Sequence, residues 1–129
     1  MDFRMKVSMR KIIMGMMACF GLGQAALAES IPDFKNMLRA AEQGDPEAQL
    51  SIGAMYANGQ GISQDHRLAV QWFHKAAEQE NAQAQFNLGV MYQLGQGVGQ
   101  DYVQAAEWYR KAAEQGDTGA QNNLGMLYK

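Results

Sequence analysis

The 129 residues read as an all-α protein, a solenoid of helix–turn–helix repeats with a 36-residue period. Three observations predict this fold class. Residues 45–80 and 81–116, set against each other at an offset of 36, are identical at 17 of 36 positions, where chance gives about two. Each copy opens on a residue that caps helices and closes its first half on Gly-x-Gly. Between these marks the apolar residues recur at helical spacing.

The chain begins with a different kind of segment. Arg4, Lys6, Arg10 and Lys11 precede the apolar stretch "IIMGMMACFGLG" from Ile12, and "ALA" follows at residues 26–28. Basic, then apolar, then small is the order of a secretory signal peptide. The apolar run is short and glycine-rich for a membrane span. Residues 1–28 are therefore expected to be a signal peptide cleaved between Ala28 and Glu29, giving a periplasmic or secreted protein. Cys19, the only cysteine, lies inside the apolar stretch. "MMAC" loosely resembles a lipoprotein cleavage box, so lipidation at Cys19 is the lesser alternative. Otherwise that cysteine leaves with the signal and packing alone holds the domain. Removing residues 1–28 takes four of the 11 Lys and Arg and one of the 13 Asp and Glu, leaving a net charge of −5. So acidic a chain offers no electrostatic route to nucleic acid or to an anionic membrane.

Residues 29–44 supply a leading half-repeat helix, since "AAEQGD" at 40–45 matches "AAEQGD" at 112–117. In the repeat over 45–80, Asp45 is the N-cap and Pro46 takes the first helical place, where its missing N–H costs nothing. The stripe Ala48, Ile52, Met55, Tyr56 follows, and the helix should stop near Asn58, before Gly59 and Gly61. A second helix starts at Asp65 and carries Ala69, Trp72, Phe73, Ala76 and Ala77. The repeat over 81–116 has the same plan: cap Asn81, stripe Ala84, Leu88, Met91, Tyr92, stop near Leu94, second cap Asp101, then Ala105, Trp108, Tyr109, Ala112, Ala113. Gly116 ends that helix. Glu80 stands in the equivalent place, so the first repeat is expected to close by another route. A third copy, 117–129, carries the first helix alone. Its apolar stripe predicts self-association through an uncapped C-terminal helix, unless the chain is a shortened member of a longer repeat protein.

Gly53, Gly89 and Gly125 lie mid-helix, where glycine costs about 1 kcal/mol relative to alanine. Something is expected to pack too close for a Cβ, with the alanine pairs of the second helix as the neighbours and Tyr and Trp filling the space between helix pairs.

The motif "AQ–––G–––Y––G–G", then "D–––A––W––KAA", is complete at 48–77 and 84–113 and partial at 120–128. It resembles that of the Sel1-like repeat family, relatives of the tetratricopeptide repeats. The resemblance implies a right-handed α-solenoid that acts as an adaptor for other proteins. Some secreted members carry a disulfide in each repeat, and a penicillin-binding or β-lactamase activity has been attributed to them. The cysteines that mark those members are missing here.

No catalytic, cofactor or metal constellation emerges. His66 and His74 are two turns apart on one helix, about 12 Å, too far to share a metal, and both are expected to be exposed. Ser51 and Ser63 fall where the next repeat has Asn87 and Gly99. The Gly-Gln-Gly turns lack the Lys-Ser/Thr of a phosphate loop. What does stand out is a second apolar stripe on the first helices: Leu50, Ala54, Phe86, Val90, Leu94 and Met126. It reads either as packing against a neighbouring helix or as a peptide groove with Glu47, Gln83 and Gln93 as its polar edge. On the groove reading, Phe86 and Leu94 are solvent-exposed and face the concave side. The function expected is an exported, non-catalytic scaffold for a protein or peptide. The rival is a hydrolase of β-lactams or cell-wall peptides.

Overall fold

A computed structural model of the chain describes residues 32–129; Cys19, Ala28 and Glu29 lie outside them. Six helices follow in order: α1 (Pro32–Glu42), α2 (Pro46–Asn58), α3 (His66–Glu78), α4 (Ala82–Leu94), α5 (Tyr102–Glu114) and α6 (Thr118–Leu127). Among the described residues there is no strand, and no helix is long and apolar enough to cross a membrane.

The side chains that set these boundaries are visible. Asp45 accepts from the Glu47 amide, Asn81 from that of Ala84 and Asp117 from that of Ala120. Asp65 accepts from Leu68, and Asp101 from Val103 and Gln104. Each bond satisfies a donor that the first helical turn leaves free. At the other end, Gly59 and Gly95 turn left-handed, with φ of 67° and 70°, and their amides donate to Met55 and Met91. The repeat boundary at Glu80 does not close by another route. Glu80 takes φ of 67°, the left-handed region that Gly44 and Gly116 also occupy, so the same turn forms with a non-glycine residue in it.

Neighbouring helices pack in a line, and the interface within a repeat, α2 on α3 and α4 on α5, is more extensive than the one between repeats. This is the nearest-neighbour architecture of a helical repeat solenoid. The close approach at Gly53 and Gly89 differs from the expectation. The neighbours are aromatic rings, not alanines. A Cβ on Gly53 would lie 2.7 Å from Cδ1 and Cε1 of Phe73, and one on Gly89 would lie 2.7 Å from the same atoms of Tyr109. The alanines serve the other junction: Ala76 and Ala77 cluster with Ala84 and Leu88 of the next repeat. Gly125 has open space around its missing Cβ.

A glutamine ladder runs along the array. Gln49, Gln85 and Gln121 occupy one repeat position, and each donates to a carbonyl at the end of the preceding helix: Ala41 at 3.0 Å, Ala77 at 3.2 Å and Ala113 at 3.2 Å. The side-chain oxygens of Gln49 and Gln85 then accept from Gln79 and Gln115, each at 2.9 Å. Gln85 is fully buried. An amide can live there because donor and acceptor are both satisfied.

Candidate functional site

The structure brings Ala54, Phe86 and Val90 together. They line a groove of about 270 Å³ between α2 and α4, with Asn58 and Asn87 from the same helices, His66 and Phe73 from α3, and Gln96 from the following turn. The floor is apolar and the amides stand beside it. Asn87 accepts from Gln83 at 3.1 Å, which holds that side chain along the helix.

The other residues of the second stripe are dispersed. Leu50 packs on the central core cluster. Leu94 and Met126 are 58% and 59% exposed and do not line the groove. Phe86 is half-buried rather than open, because α6 crosses it. Its ring lies 5.8 Å from that of Tyr109, and a Cβ on Gly119 would meet it at 3.1 Å. Phe86 therefore serves the packing between repeats as well as the groove wall. Among the expected polar edge residues, Gln93 accepts the hydroxyl of Tyr109 at 2.6 Å, and Glu47 accepts from Asn81 at 2.9 Å. Gln83 is exposed beside Asn87.

Both histidines depart from the expected exposure. His74 pairs with Glu78 at 3.4 Å and stands edge-on to Trp108 at 5.6 Å. His66 is half-buried, because the turn of the next repeat lies over it. A Cβ on Gly97 would overlap the His66 carbonyl. The Nδ1 of His66 is buried and has no hydrogen-bond partner among the described residues, and the residue borders the groove. Sequence reasoning missed it, since that cover, Gly97, comes from 31 residues away. Among the described residues no three His, Cys, Asp or Glu side chains are placed to hold a metal ion.

Comparison with known proteins bears on the whole array. The Sel1 repeat model matches residues 34–45, 46–81, 82–117 and 118–129. A search of curated proteins finds no match. Among solved structures, a Sel1 repeat protein from Oxalobacter formigenes superimposes with a TM-score of 0.70 at 45% identity, over 70% of this chain and 26% of its own. A protective antigen present in uropathogenic Escherichia coli strains, displaying an SLR fold, gives 0.71 at 46% identity, over 74% of this chain and 20% of its own. Cysteine rich protein B of Helicobacter pylori gives 0.66 at 27% identity, over 70% and 68%. This chain thus spans about a quarter and a fifth of the length of the first two. With the 36-residue plan, the capped helix pairs and the family match running from residue 34 to residue 129, the chain belongs to the Sel1 repeat family.

Proposed function

We propose that this protein is an exported, non-catalytic scaffold that holds an extended segment of a partner protein in the groove between α2 and α4. One observation carries the reading. The groove combines the apolar surface of Ala54, Phe86 and Val90 with the edge of His66, whose buried Nδ1 has no hydrogen-bond partner among the described residues. A buried nitrogen of this kind costs free energy until something bonds to it. A peptide supplies both halves at once: a side chain for the apolar floor and a backbone N–H or C=O for the imidazole and the flanking Asn87 and Asn58. Scaffolding of other proteins is the general role of Sel1 repeats, and the negative charge of the chain suits no nucleic acid.

Export rests on the basic, apolar and small order before Glu29. The intact mass of the protein recovered from the producing cell tests it: the chain should begin at Glu29, not at Met1 or at a lipidated Cys19.

Phage-displayed peptides selected on the purified chain test the groove. Selected peptides should lose binding to an Ala54→Arg variant whose helix content is unchanged. Peptides that bind both forms equally would place recognition elsewhere. Turnover of a chromogenic β-lactam, repeated on independent preparations, would instead support a hydrolase.

A further inference from the structure

We propose that the groove between α2 and α4 reads one uncharged carboxamide, the side chain of a glutamine in the partner's extended segment, with Asn87 as its hydrogen-bond donor. This rests on the groove holding a peptide, and it names the group that is recognised there.

The second repeat shows what fills the same place from within. One period beyond Ala57, Phe73 and Asn87 stand Gln93, Tyr109 and Asn123. There the tyrosine hydroxyl donates to the Gln93 side chain at 2.6 Å and accepts from Asn123 Nδ2 at 3.3 Å. Carboxamide, hydroxyl and carboxamide thus tie α4, α5 and α6 together.

At the first junction the plan is kept but most of its polar groups are gone. Ala57 ends at Cβ where Gln93 carries a carboxamide, and Phe73 lacks the hydroxyl of Tyr109. The two rings lie alike, since Phe73 meets Gly53 through the same ring atoms by which Tyr109 meets Gly89. Ala57, Phe73 and Asn87 all line the groove of about 270 Å³. Only Asn87 keeps its polar group. Its oxygen accepts from Gln83 at 3.1 Å, and no group among the described residues accepts from its nitrogen. A half-buried amide donor beside an apolar floor calls for an acceptor. A glutamine arriving from outside restores what the first junction lacks. Its oxygen takes the place of the tyrosine hydroxyl as the acceptor for Asn87. Its stem lies on Ala54, Phe86 and Val90, and its nitrogen stays among the rim amides of Asn58 and Gln96. The lining holds no carboxylate, lysine or arginine, so a charged side chain would enter without a counter-charge. An apolar side chain would cover the floor and leave the donor of Asn87 unmet.

The phage-selected peptides are the probe, labelled and titrated against the chain by fluorescence anisotropy. They should share a glutamine at one position. Methionine there keeps the size and loses the bond, glutamate keeps an acceptor and adds a charge, and each should weaken binding roughly tenfold. Grafting the second junction onto the first, Ala57→Gln with Phe73→Tyr, should fill the groove from within. Its urea midpoint should stay at or above that of the parent while peptide binding falls at least about tenfold. Asn87→Asp is the second variant, needed should the graft fail to fold. It keeps the bond from Gln83, removes the donor and should cost as much binding. Selected peptides without a common glutamine, or binding that survives Asn87→Asp or the folded graft, overturn the proposal. Peptides released by Ala54→Arg but by neither of these variants leave the groove reading standing and overturn this one alone. Failure to select any peptide overturns both. Peptide-free dimers that Asn87→Asp dissociates would make a second copy the occupant. A chain from Met1 that binds nothing, where the chain from Glu29 binds, would give the groove to residues 1–28. Either result also overturns the proposal.

Discussion

Tyr109 lies against Gly89 so closely that a single added carbon would sit 2.7 Å from two of its ring atoms. Both residues are fully or almost fully buried, and the tyrosine hydroxyl is held at its far end by Gln93 and Asn123. The ring cannot slide away without breaking those bonds. Gly125, one period on, meets nothing. The two glycines therefore answer the same substitution in opposite directions. Gly89→Ala gains about 1 kcal/mol of helix propensity but overpacks the interface by about 1–3 kcal/mol, a net loss. Gly125→Ala keeps only the gain, up to about 1 kcal/mol. Urea midpoints of the two variants should move apart around the parent value.

The glutamine ladder makes a second contrast. Gln85→Leu preserves volume but deletes the bonds that this fully buried amide makes to Ala77 and accepts from Gln115, and should cost about 1–3 kcal/mol, at about 0.5–1.5 kcal/mol for each bond. Gln121→Leu, at an exposed end of the ladder, should change stability by less than about 0.5 kcal/mol. Equal effects at both sites would show that burial does not decide the matter.

Glu80 holds a left-handed conformation that a side chain rarely adopts. Glu80→Gly should stabilise the chain by about 1 kcal/mol by removing that strain, at the loss of one long bond from Gln85, 3.4 Å. A rise in thermal midpoint checks it.

Tyr109 also sets a pH limit. Burial pushes its pKa above the ordinary value of 10.0, partly offset by the hydrogen bond from Asn123. A group raised in the folded state contributes stability that is complete below its unfolded pKa and is lost as pH rises through the folded one. Unfolding free energy should therefore fall in the range above about pH 10. Tyr109→Phe should flatten that part of the profile, measured by denaturant titration across alkaline buffers.

Phe86→Glu should lower the melting temperature. Its ring is packed against Tyr109 and beneath α6, and a buried unpaired carboxylate is costly. A variant as stable as the parent would mean that Phe86 swings out freely.

The repeat architecture was legible in the sequence because caps, glycines and stripes are local signals. Asp45, Asn81, Asp65, Asp101 and Asp117 all act where the pattern placed them. Contacts between helices were less legible. The cost of Gly53 and Gly89 announced a close neighbour, but a stripe of mixed Ala and aromatic residues does not say which member faces which helix. Phe73 and Tyr109 took one side and the alanine pairs the other. Phe86 stood between two readings and His66 was expected to be exposed for a related reason: each is covered by a segment about 30 residues onward in the chain, α6 and the Gly95–Gly97 turn. The buried Gln49 and Gln85 sat in the motif as a recurring polar residue, and only the carbonyls they reach explain them.

That ladder also gives the molecule a phase. Each rung donates to a carbonyl of the helix behind, and the oxygens of Gln49 and Gln85 accept from the end of the helix ahead, so the bonds repeat with a fixed direction. An excision or duplication of 36 residues, wherever it falls inside 45–116, returns a glutamine to each rung. A change of another length inside a helix rotates the residues beyond it out of register with their rung. Whole-period gain and loss is thus the kind of length change that this array absorbs without retuning a single side chain.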